Sequence, residues 1–522
     1  MMKSGADLTT APPVKSGTPP SRRGATIPHL RWWICGLLFM ITTINYLDRQ
    51  SLAILRETIV KELHWSEADY GWINFSFQTA YALFMTVAGR LIDLLGVKLA
   101  LGLAIGLWSL AVAGHAMASS TIHFCIARFC LGSAEAANFP ASIKAVAQWF
   151  PQKERALATG VFNSGSNVGI MLAPLMLYIV AWVHHWQIAF VIVGALGIVV
   201  LACWWLFFNP PETHPRLSDE EHEQIKAGQP PTEAQTKIHW TALLRCRQVW
   251  PFLIGKFMTD PVWWFYLYWL PPYLARERGM KSATDFWVLV VPYLAADIGS
   301  IFGGWFSSHL IGRGWRIGSA RYLAMFVCAL CMPGAIYAVY TSHFWTAIIL
   351  ISFATAGHQG WSANIFTTAT DMFPARYAGS VVGLGGSTGA LGGMFMTLLV
   401  GMTLQWFPND GLGYKMVFTW AGVMHLSSLA IFLLIAGRTM KQVDLESTID
   451  MTRTHQGLFA GGATSVLAGL FLSALMIVNW DTLVTAMKGK TGPAGGLTAA
   501  IGVALIGIVL IYASLPRKTE TA

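Results

Sequence analysis

The chain has 522 residues, of which 54% are hydrophobic and only 12% are charged, and its mean hydropathy is +0.51. A composition this apolar excludes a soluble globular protein and indicates a chain that crosses a lipid bilayer several times. The formal charge of +9 comes from basic residues scattered among short loops, which is typical of membrane proteins and not of nucleic-acid binding. The apolar runs are long and uninterrupted, so they favour helices over the alternating strands of a membrane barrel.

The N-terminal segment, residues 1–30, is rich in Ser, Thr, Pro and basic residues, which predicts a disordered cytoplasmic tail. It has no cleavable signal pattern, so the first apolar helix is expected to stay in the protein as its insertion signal. The seven cysteines lie mostly inside apolar runs and have no spacing typical of a disulfide framework. No residue pattern predicts a metal or a cofactor.

Apolar runs of about 20 residues follow one another along the rest of the chain. Six of them predict an N-terminal bundle over residues 31–208, and six more predict a C-terminal bundle over residues 250–437. The polar residues 209–249 between them predict a cytoplasmic linker, and residues 438–522 predict a polar segment with two additional transmembrane helices. The expected spans lie near 32–55, 70–95, 97–118, 121–149, 155–183, 186–208, 250–275, 285–311, 320–341, 343–372, 378–404 and 413–437, then 457–480 and 495–515.

The basic residues predict the orientation of the chain. Arg90 and Lys98 flank the turn between helices 2 and 3, and Lys153 and Arg155 flank the turn between helices 4 and 5. The loops on the opposite side are nearly free of Lys and Arg. The positive-inside rule therefore predicts a multi-pass protein of the inner (plasma) membrane, with both termini and the linker in the cytoplasm.

The turn between helices 2 and 3 reads GRLIDLLGVK, from residue 89 to residue 98. It resembles the hallmark loop of the major facilitator superfamily, although Leu94 stands where many members have a basic residue. The resemblance implies two six-helix bundles around a central cavity that opens alternately to each side. It also implies a conformational latch, in which Asp93 meets the start of helix 11 near Gly379. Ser308 occupies the equivalent acidic position of the second half, which argues against a symmetric latch. The predicted latch residues are Gly89, Asp93, Gly96 and Lys98.

Charged residues stand inside helices 1 and 4. Arg128 and Glu135 are seven residues apart, which places them on one face of helix 4 about 10 Å apart along the axis. On helix 1, Asn45, Asp48 and Arg49 share a face, but adjacent Asp48 and Arg49 point about 100° apart and cannot simply pair with each other. A charge at this depth costs at least about 2.5 kcal/mol, so these groups predict either a wet cavity or a structural ion pair.

The segments NYLDRQSL on helix 1 and RFCLGSAEAANFP on helix 4 resemble the anion:cation symporter family, whose members take up organic anions. The resemblance covers residues 28 to 440. It implies that Arg49 and Arg128 bind the carboxylate of the substrate and that Asp48 and Glu135 handle protons. The chemistry agrees, because arginine keeps its charge and offers a forked set of donors to a carboxylate.

Helices 7 and 10 carry further candidates for substrate binding. Trp264 and Tyr268 are four residues apart and form an aromatic face suited to a sugar ring, although a membrane-interface belt is the alternative. This cluster, with its paired prolines, resembles the hexuronate branch of the family. The segment AGHQGWSANIF on helix 10 is dense in polar groups that need hydrogen-bond partners. The remaining predicted substrate-binding residues are Tyr46, His358, Gln359 and Asn364. The family resemblance also implies that Tyr81, Asn163 and Ser166 line the substrate chamber.

The sequence therefore predicts an all-α polytopic membrane protein with the major facilitator fold, which imports a hexuronate by proton symport. A symporter for another organic anion, such as an aldonate, a dicarboxylate or an aromatic acid, is one alternative, and a non-transporting membrane sensor is another. No nucleophile–base pair or metal cluster has a recognisable spacing, so an enzyme is not predicted. The expected partners are the organic anion, protons and the lipid bilayer, and the protein is expected to act as a monomer.

Overall fold

The computed structural model describes residues 26–227, 243–244, 246–280, 286–407, 411–437 and 440. The predicted extra C-terminal helices and most of the predicted N-terminal tail lie outside these residues. The described part of the chain is built of helices and contains no strand. Six of its helical spans are long and apolar enough to cross a membrane by length and composition.

The helices follow one another through short connections. Short 3₁₀ turns lie at His115–Met117, Phe286–Leu289 and Ala375–Tyr377. The α-helices are α1 (Leu30–Leu63), α2 (Glu67–Leu95), α3 (Val97–Gly114), α4 (Thr121–Glu135), α5 (Asn138–Trp149), α6 (Arg155–Leu172), α7 (Leu175–Val183), α8 (Trp186–Phe207), α9 (Asp219–Ala227), α10 (Val249–Arg278), α11 (Val290–Gly312), α12 (Ile317–Leu330), α13 (Gly334–Ala338), α14 (Phe344–Met372), α15 (Ala378–Trp406) and α16 (Leu412–Ala436).

Three of the spans expected from the sequence are divided in two, each close to a proline. The span near 121–149 is interrupted before α5, which has Pro140 in its first turn, and α7 and α13 follow directly on Pro174 and Pro333. Proline has no backbone N–H and its ring clashes with the preceding turn, so it is accepted at the start of a helix and disrupts its interior. Apolar length alone did not reveal these interruptions.

The short helix α9 fixes the linker to the start of α1. Glu221 accepts hydrogen bonds from the backbone N–H groups of Leu30 and Arg31 at 2.9 and 3.2 Å, and from Nη1 of Arg31 at 2.7 Å. A carboxylate is favourable there because the first N–H groups of a helix have no partner within it and carry partial positive charge.

The chain divides into an N-terminal half, α1–α8, and a C-terminal half, α10–α16, and the two halves pack together at the end where α1 begins. We call this the linker-side end. Here α2 packs on α15 and α6 packs on α11. A methyl group at Gly89 would overlap the carbonyl oxygen of Gly379, and one at Gly304 would overlap that of Ala156. Glycine thus allows helices of opposite halves to approach at backbone distance and to close this end.

Candidate functional site

A cavity lies between the two halves of the protein. It contains about 540 Å³ of space free of protein atoms, and part of this space is open to solvent. Four helices of the N-terminal half and three of the C-terminal half contribute to its wall. The lining residues are Tyr46, Arg49, Tyr81, Met85, Phe139, Asn163, Lys256, Asp260, Trp263, Trp264, His358, Gln359, Ser362, Phe366, Gly386 and Ala390.

Many of the residues predicted to bind substrate lie together in this wall. They come from α1, α2, α6, α10 and α14, and they are Tyr46, Arg49, Tyr81, Asn163, Trp264, His358 and Gln359. Four other predicted substrate-binding residues are outside the lining set: Arg128, Ser166, Tyr268 and Asn364.

Arg49 is held by aromatic rings at the cavity wall. Its guanidinium carbon lies 4.6 Å from the ring centroid of Tyr46, 4.7 Å from that of Tyr81 and 5.1 Å from that of Phe77. Trp264, from the other half, is 6.0 Å away. Cation–π attraction stabilises the charge through its flat faces and leaves the donation of hydrogen bonds to the N–H edges.

One of these edges is paired with Glu135 on α4. Nε and Nη2 of Arg49 donate to Oε2 of Glu135 at 3.2 and 2.9 Å. Glu135 is fully buried and lies behind Arg49, outside the cavity lining. The cavity is therefore in contact with the cation of this ion pair, whereas the acid is shielded from it.

Arg128 and Asp48 lie behind this wall. Nη1 and Nη2 of Arg128 both donate to the backbone carbonyl of Arg49 at 3.3 Å, which fixes the segment of α1 that carries Arg49. Asp48 is 1% exposed, and its carboxylate oxygens, like the amide of neighbouring Asn45, have no hydrogen-bond partner among the described residues. A buried polar group without a partner costs about 1–3 kcal/mol, so such groups call for an explanation.

Aromatic and histidine side chains form the wall contributed by α10 and α14. Trp264 stacks on Tyr268 with 5.6 Å between centroids, and Trp264 is the member that faces the cavity. Trp263, which the sequence analysis did not select, stacks on His358 at 5.4 Å with an interplanar angle of 10°. Nδ1 of His358 is in turn 3.0 Å from Nε2 of buried His425 on α16.

The amide and hydroxyl candidates divide between the cavity and the helix backbones. Nδ2 of Asn163 donates to Oε1 of Gln359 at 2.8 Å, which joins the two halves across the cavity wall. The Ser166 hydroxyl donates to the carbonyl of Asn163 within its own helix at 2.7 Å. The Asn364 amide donates to the carbonyls of Gly303 and Gly360 at 2.8 and 2.9 Å, so it ties α14 to α11.

The sequence analysis selected neither Lys256 nor Asp260. The two form an ion pair along α10, with Nζ of Lys256 2.8 Å from Oδ1 of Asp260. Both line the cavity on the side contributed by the C-terminal half. Arg128 and Glu135 were selected because they are charged residues within an apolar helix. Lys256 and Asp260 meet the same criterion, so the sequence could have identified them as well.

The loop predicted to act as a latch lies at the linker-side end. Asp93 accepts from the backbone N–H groups of Gly379 and Ser380 at 3.2 and 2.7 Å, at the start of α15. Its Oδ1 also lies 2.6 Å from Nζ of Lys144, a partner that the sequence analysis missed. The other half carries a neutral counterpart, because Ser308 accepts from the backbone N–H of Leu157 on α6 at 3.3 Å.

The other two predicted latch residues have local roles in the structure. Gly96 joins α2 to α3 with a φ of +79°, a conformation that side chains disfavour. Nζ of Lys98 donates to Oδ1 of Asn209 at 2.8 Å, so its contact is with the start of the linker.

A second charged contact closes the same end. Nε of Arg321 donates to Oδ2 of Asp371 at 2.9 Å within the C-terminal half, and its Nη2 donates to the carbonyl of Gln152 in the N-terminal half at 3.1 Å. Nη1 of Arg155, in the N-terminal half, donates to the carbonyl of Thr370 in the C-terminal half at 2.9 Å. Buried cations therefore bond across the boundary from both halves.

Two helical halves around a central polar cavity define the architecture of a secondary transporter of the membrane. The sequence matches the Major Facilitator Superfamily over residues 38–397, and the chain belongs to this superfamily. The hexuronate transporter of Escherichia coli is 30% identical over 446 residues, an alignment that covers 82% of this chain and 99% of that relative. The predicted superfamily membership and the resemblance to bacterial hexuronate transporters are confirmed.

Other relatives carry names of related substrates. The galacturonate transporter of Dickeya chrysanthemi is 37% identical over 53% of this chain and 82% of its own length. The "Probable galactarate/D-glucarate transporter GarP" of Escherichia coli is 29% identical over 80% of this chain and 97% of its own length. These relatives are transporters, and the protein is accordingly not an enzyme, as predicted.

Solved structures confirm the fold. The proton:xylose symporter XylE superposes with a TM-score of 0.63 at 13% identity, over 80% of this chain and 98% of that one. The E. coli fucose:proton symporter FucP superposes with a TM-score of 0.58 at 16% identity, over 78% of this chain and 99% of that one. The protein is thus a multi-pass membrane protein with the major facilitator fold.

Proposed function

We propose that this protein imports a sugar-acid anion of the hexuronate class by proton symport with alternating access. We expect it to lie in the inner (plasma) membrane with both termini in the cytoplasm, as the basic loops predict. The observation that carries the proposal is the ion pair between Arg49 and Glu135 at the wall of the central cavity. The names of the relatives, which are transporters of hexuronates and similar sugar acids, support the substrate class.

The ion pair offers a physical basis for coupling. Oε2 of Glu135 accepts hydrogen bonds from Nε and Nη2 of Arg49. These two donors form the edge of the guanidinium that binds a carboxylate in bidentate geometry. An ionised Glu135 therefore competes with a substrate carboxylate for the same donors. A proton on Glu135 removes the competing charge and leaves the cation free for the anion. Release of that proton toward the cytoplasm restores the pair and displaces the substrate.

Asp48 is proposed as a second proton-handling group beside this pair. Its carboxylate is buried within α1 and has no hydrogen-bond partner in the described part of the chain. An ionised carboxylate is costly to hold there, whereas a neutral carboxyl costs less. Arg128 is proposed to support the anion from behind, because it fixes the backbone carbonyl of Arg49 and adds positive charge. Trp264 would cover one face of the sugar ring.

Uptake of labelled D-glucuronate into proteoliposomes tests the proposal. Uptake by the wild type should rise when the outside is made more acidic than the lumen. Arg49→Ala should abolish binding, whereas Asp48→Asn should impair proton coupling more than binding. Glu135→Gln should retain binding and lose most of the pH dependence, because its side chain no longer titrates.

Glu154→Gln is a matched control for Glu135→Gln. Glu154 is paired with Arg31 at the linker-side end, 3.0 Å away, and its side chain is 23% exposed. This variant should keep the pH dependence of the wild type. Uptake that ignores both the proton gradient and the loss of Arg49 would refute the proposed function.

A further inference from the structure

A second ion pair faces Arg49 from the other half of the protein. Lys256 and Asp260 lie one turn apart on α10, 2.8 Å from each other, and both line the central cavity. Each half therefore places one acid–base pair at the cavity wall, with both members in the lining in the C-terminal half and only Arg49 in the lining in the N-terminal half. Neither residue is needed to bind the substrate carboxylate in the proposed coupling, so this pair needs a role of its own.

The two pairs present opposite charges to the cavity. On the N-terminal side the cation, Arg49, lines the cavity and its partner Glu135 is fully buried behind it. On the C-terminal side the acid is the more open partner, since the side chain of Asp260 is 20% exposed and that of Lys256 only 4%. Nζ of Lys256 is also covered by the Phe366 ring, 3.9 Å from its centroid. A bound ligand would meet a positive wall on one side and a carboxylate on the other.

Close packing fixes the carboxylate of Asp260 in this place. Oδ2 lies against Gly389 on α15, where an added methyl group would overlap it. The Lys256 ammonium holds Oδ1 from the other side. With one oxygen neutralised and the other against a glycine, the group is a preorganised hydrogen-bond acceptor and not a mobile surface acid.

We propose that Asp260, held by Lys256, binds hydroxyl groups at the end of the sugar acid remote from Arg49 and excludes substrates that carry a second carboxylate there. The protein then selects monocarboxylate sugar acids, such as hexuronates, over dicarboxylate ones. This inference rests on the proposed function and assigns the selection of the substrate class to Asp260.

Electrostatics gives the reason. A carboxylate accepts hydrogen bonds from hydroxyl groups, which a monocarboxylate sugar acid offers at every carbon away from its acid end. A second carboxylate in the same place would offer no donor and would face a like charge, which is an unfavourable juxtaposition. Lys256 weakens this repulsion but does not remove it, because Asp260 is the more exposed member of the pair and the ligand therefore meets the negative end of the pair. Such selection by repulsion is a common source of specificity.

Competition binding on the purified full-length protein tests this inference. The probe is labelled D-glucuronate, and the competitors are unlabelled D-glucuronate and galactarate. The wild type should bind glucuronate at least about tenfold more tightly than galactarate, as a like-charge cost of more than about 1.4 kcal/mol requires. Asp260→Asn should reduce this ratio by at least about tenfold, since it removes the repelling charge and frees Lys256.

Two further variants serve as a control for the loss of a buried acid and as an alternative to Asp260→Asn. Asp297→Asn removes another buried acid of the C-terminal half, which accepts from Asn167 at 2.6 Å and lies outside the cavity lining, so it should keep the wild-type ratio. The double variant Lys256→Met/Asp260→Asn leaves no charged residue in the part of α10 that lines the cavity. It should also lower the ratio, and it covers the case in which Asp260→Asn alone does not fold.

The possible results distinguish a failure of the proposed function from a failure of the proposed selectivity. A wild type that binds neither sugar acid would refute the proposed function. A wild type that binds glucuronate and galactarate equally would overturn the selectivity inference alone. The same conclusion would follow if glucuronate binding were normal and the ratio were unchanged in both Asp260 variants.

Discussion

Gly89→Ala should shift the protein away from the state in which its linker-side end is closed. Gly89 lies on α2, and an added methyl group would overlap the carbonyl oxygen of Gly379 on α15, in the other half. The obstacle is backbone, so it cannot move aside as a flexible side chain would. Forcing a methyl group into such packing typically costs about 1–3 kcal/mol. This cost falls only on the state in which α2 and α15 touch.

The size of the shift follows from that cost. A penalty of about 2 kcal/mol lowers the ratio of closed to open molecules about 30-fold. Spin labels at Leu94 and Trp315, which are exposed at the linker-side end of opposite halves, would report the shift as a longer distance in pulsed electron resonance. The labels would be introduced into a protein whose native cysteines have been replaced.

Gly36→Ala is the matched control for this experiment. Gly36 is also a glycine within a membrane helix, but an added methyl group there has nothing within 4 Å. It should leave the distance distribution unchanged. A distribution for Gly89→Ala that matches both the control and the wild type would refute the reasoning that glycine contact maintains the closed end.

Three other predictions concern the closed end and the cavity. Asp93→Asn keeps the shape of the side chain but loses its charge opposite Lys144 and the start of α15, so the same distance measurement should show about 1 kcal/mol less stabilisation of the closed state. Asp371→Asn leaves buried Arg321 without its carboxylate partner, which should cost about 3–5 kcal/mol and lower the Tm in detergent; an unchanged Tm would contradict this. Trp264→Ala should weaken glucuronate binding about tenfold by loss of one aromatic wall, while the pH dependence of uptake stays as in the wild type.

The prediction of the fold from the sequence succeeded because it depended on one strong physical constraint. Backbone polar groups in a bilayer must be satisfied within a helix, so long apolar runs indicate spans regardless of what surrounds them. The runs could not show where a span is interrupted, and Pro140, Pro174 and Pro333 divide three of them. Proline was visible in the sequence, but Pro261 lies inside the continuous helix α10, so the residue alone does not decide whether a helix ends.

The candidate site was predictable to the extent that helical periodicity allows. The sequence identified Arg49, Arg128 and Glu135 as unusual charges within apolar helices and predicted that Asp48 and Arg49 would not pair with each other. Periodicity gives the face of a helix on which a residue lies, but not the neighbour that this face meets. The structure was needed to show that Arg49 lines the cavity with Glu135 behind it and that Arg128 contacts backbone.

The sequence by itself thus determined that the chain is a helical membrane protein with charges at membrane depth, because hydropathy and charge are properties of single residues and short segments. The superfamily was indicated by the resemblance of one short motif, GRLIDLLGVK. The tertiary structure decided which partner each charge has and which member of each pair faces the cavity. Asp260 is the clearest case, since its position depends on Lys256 along α10 and on Gly389 of a distant helix. Such relations depend on how separate helices pack, and no local pattern in the sequence records them.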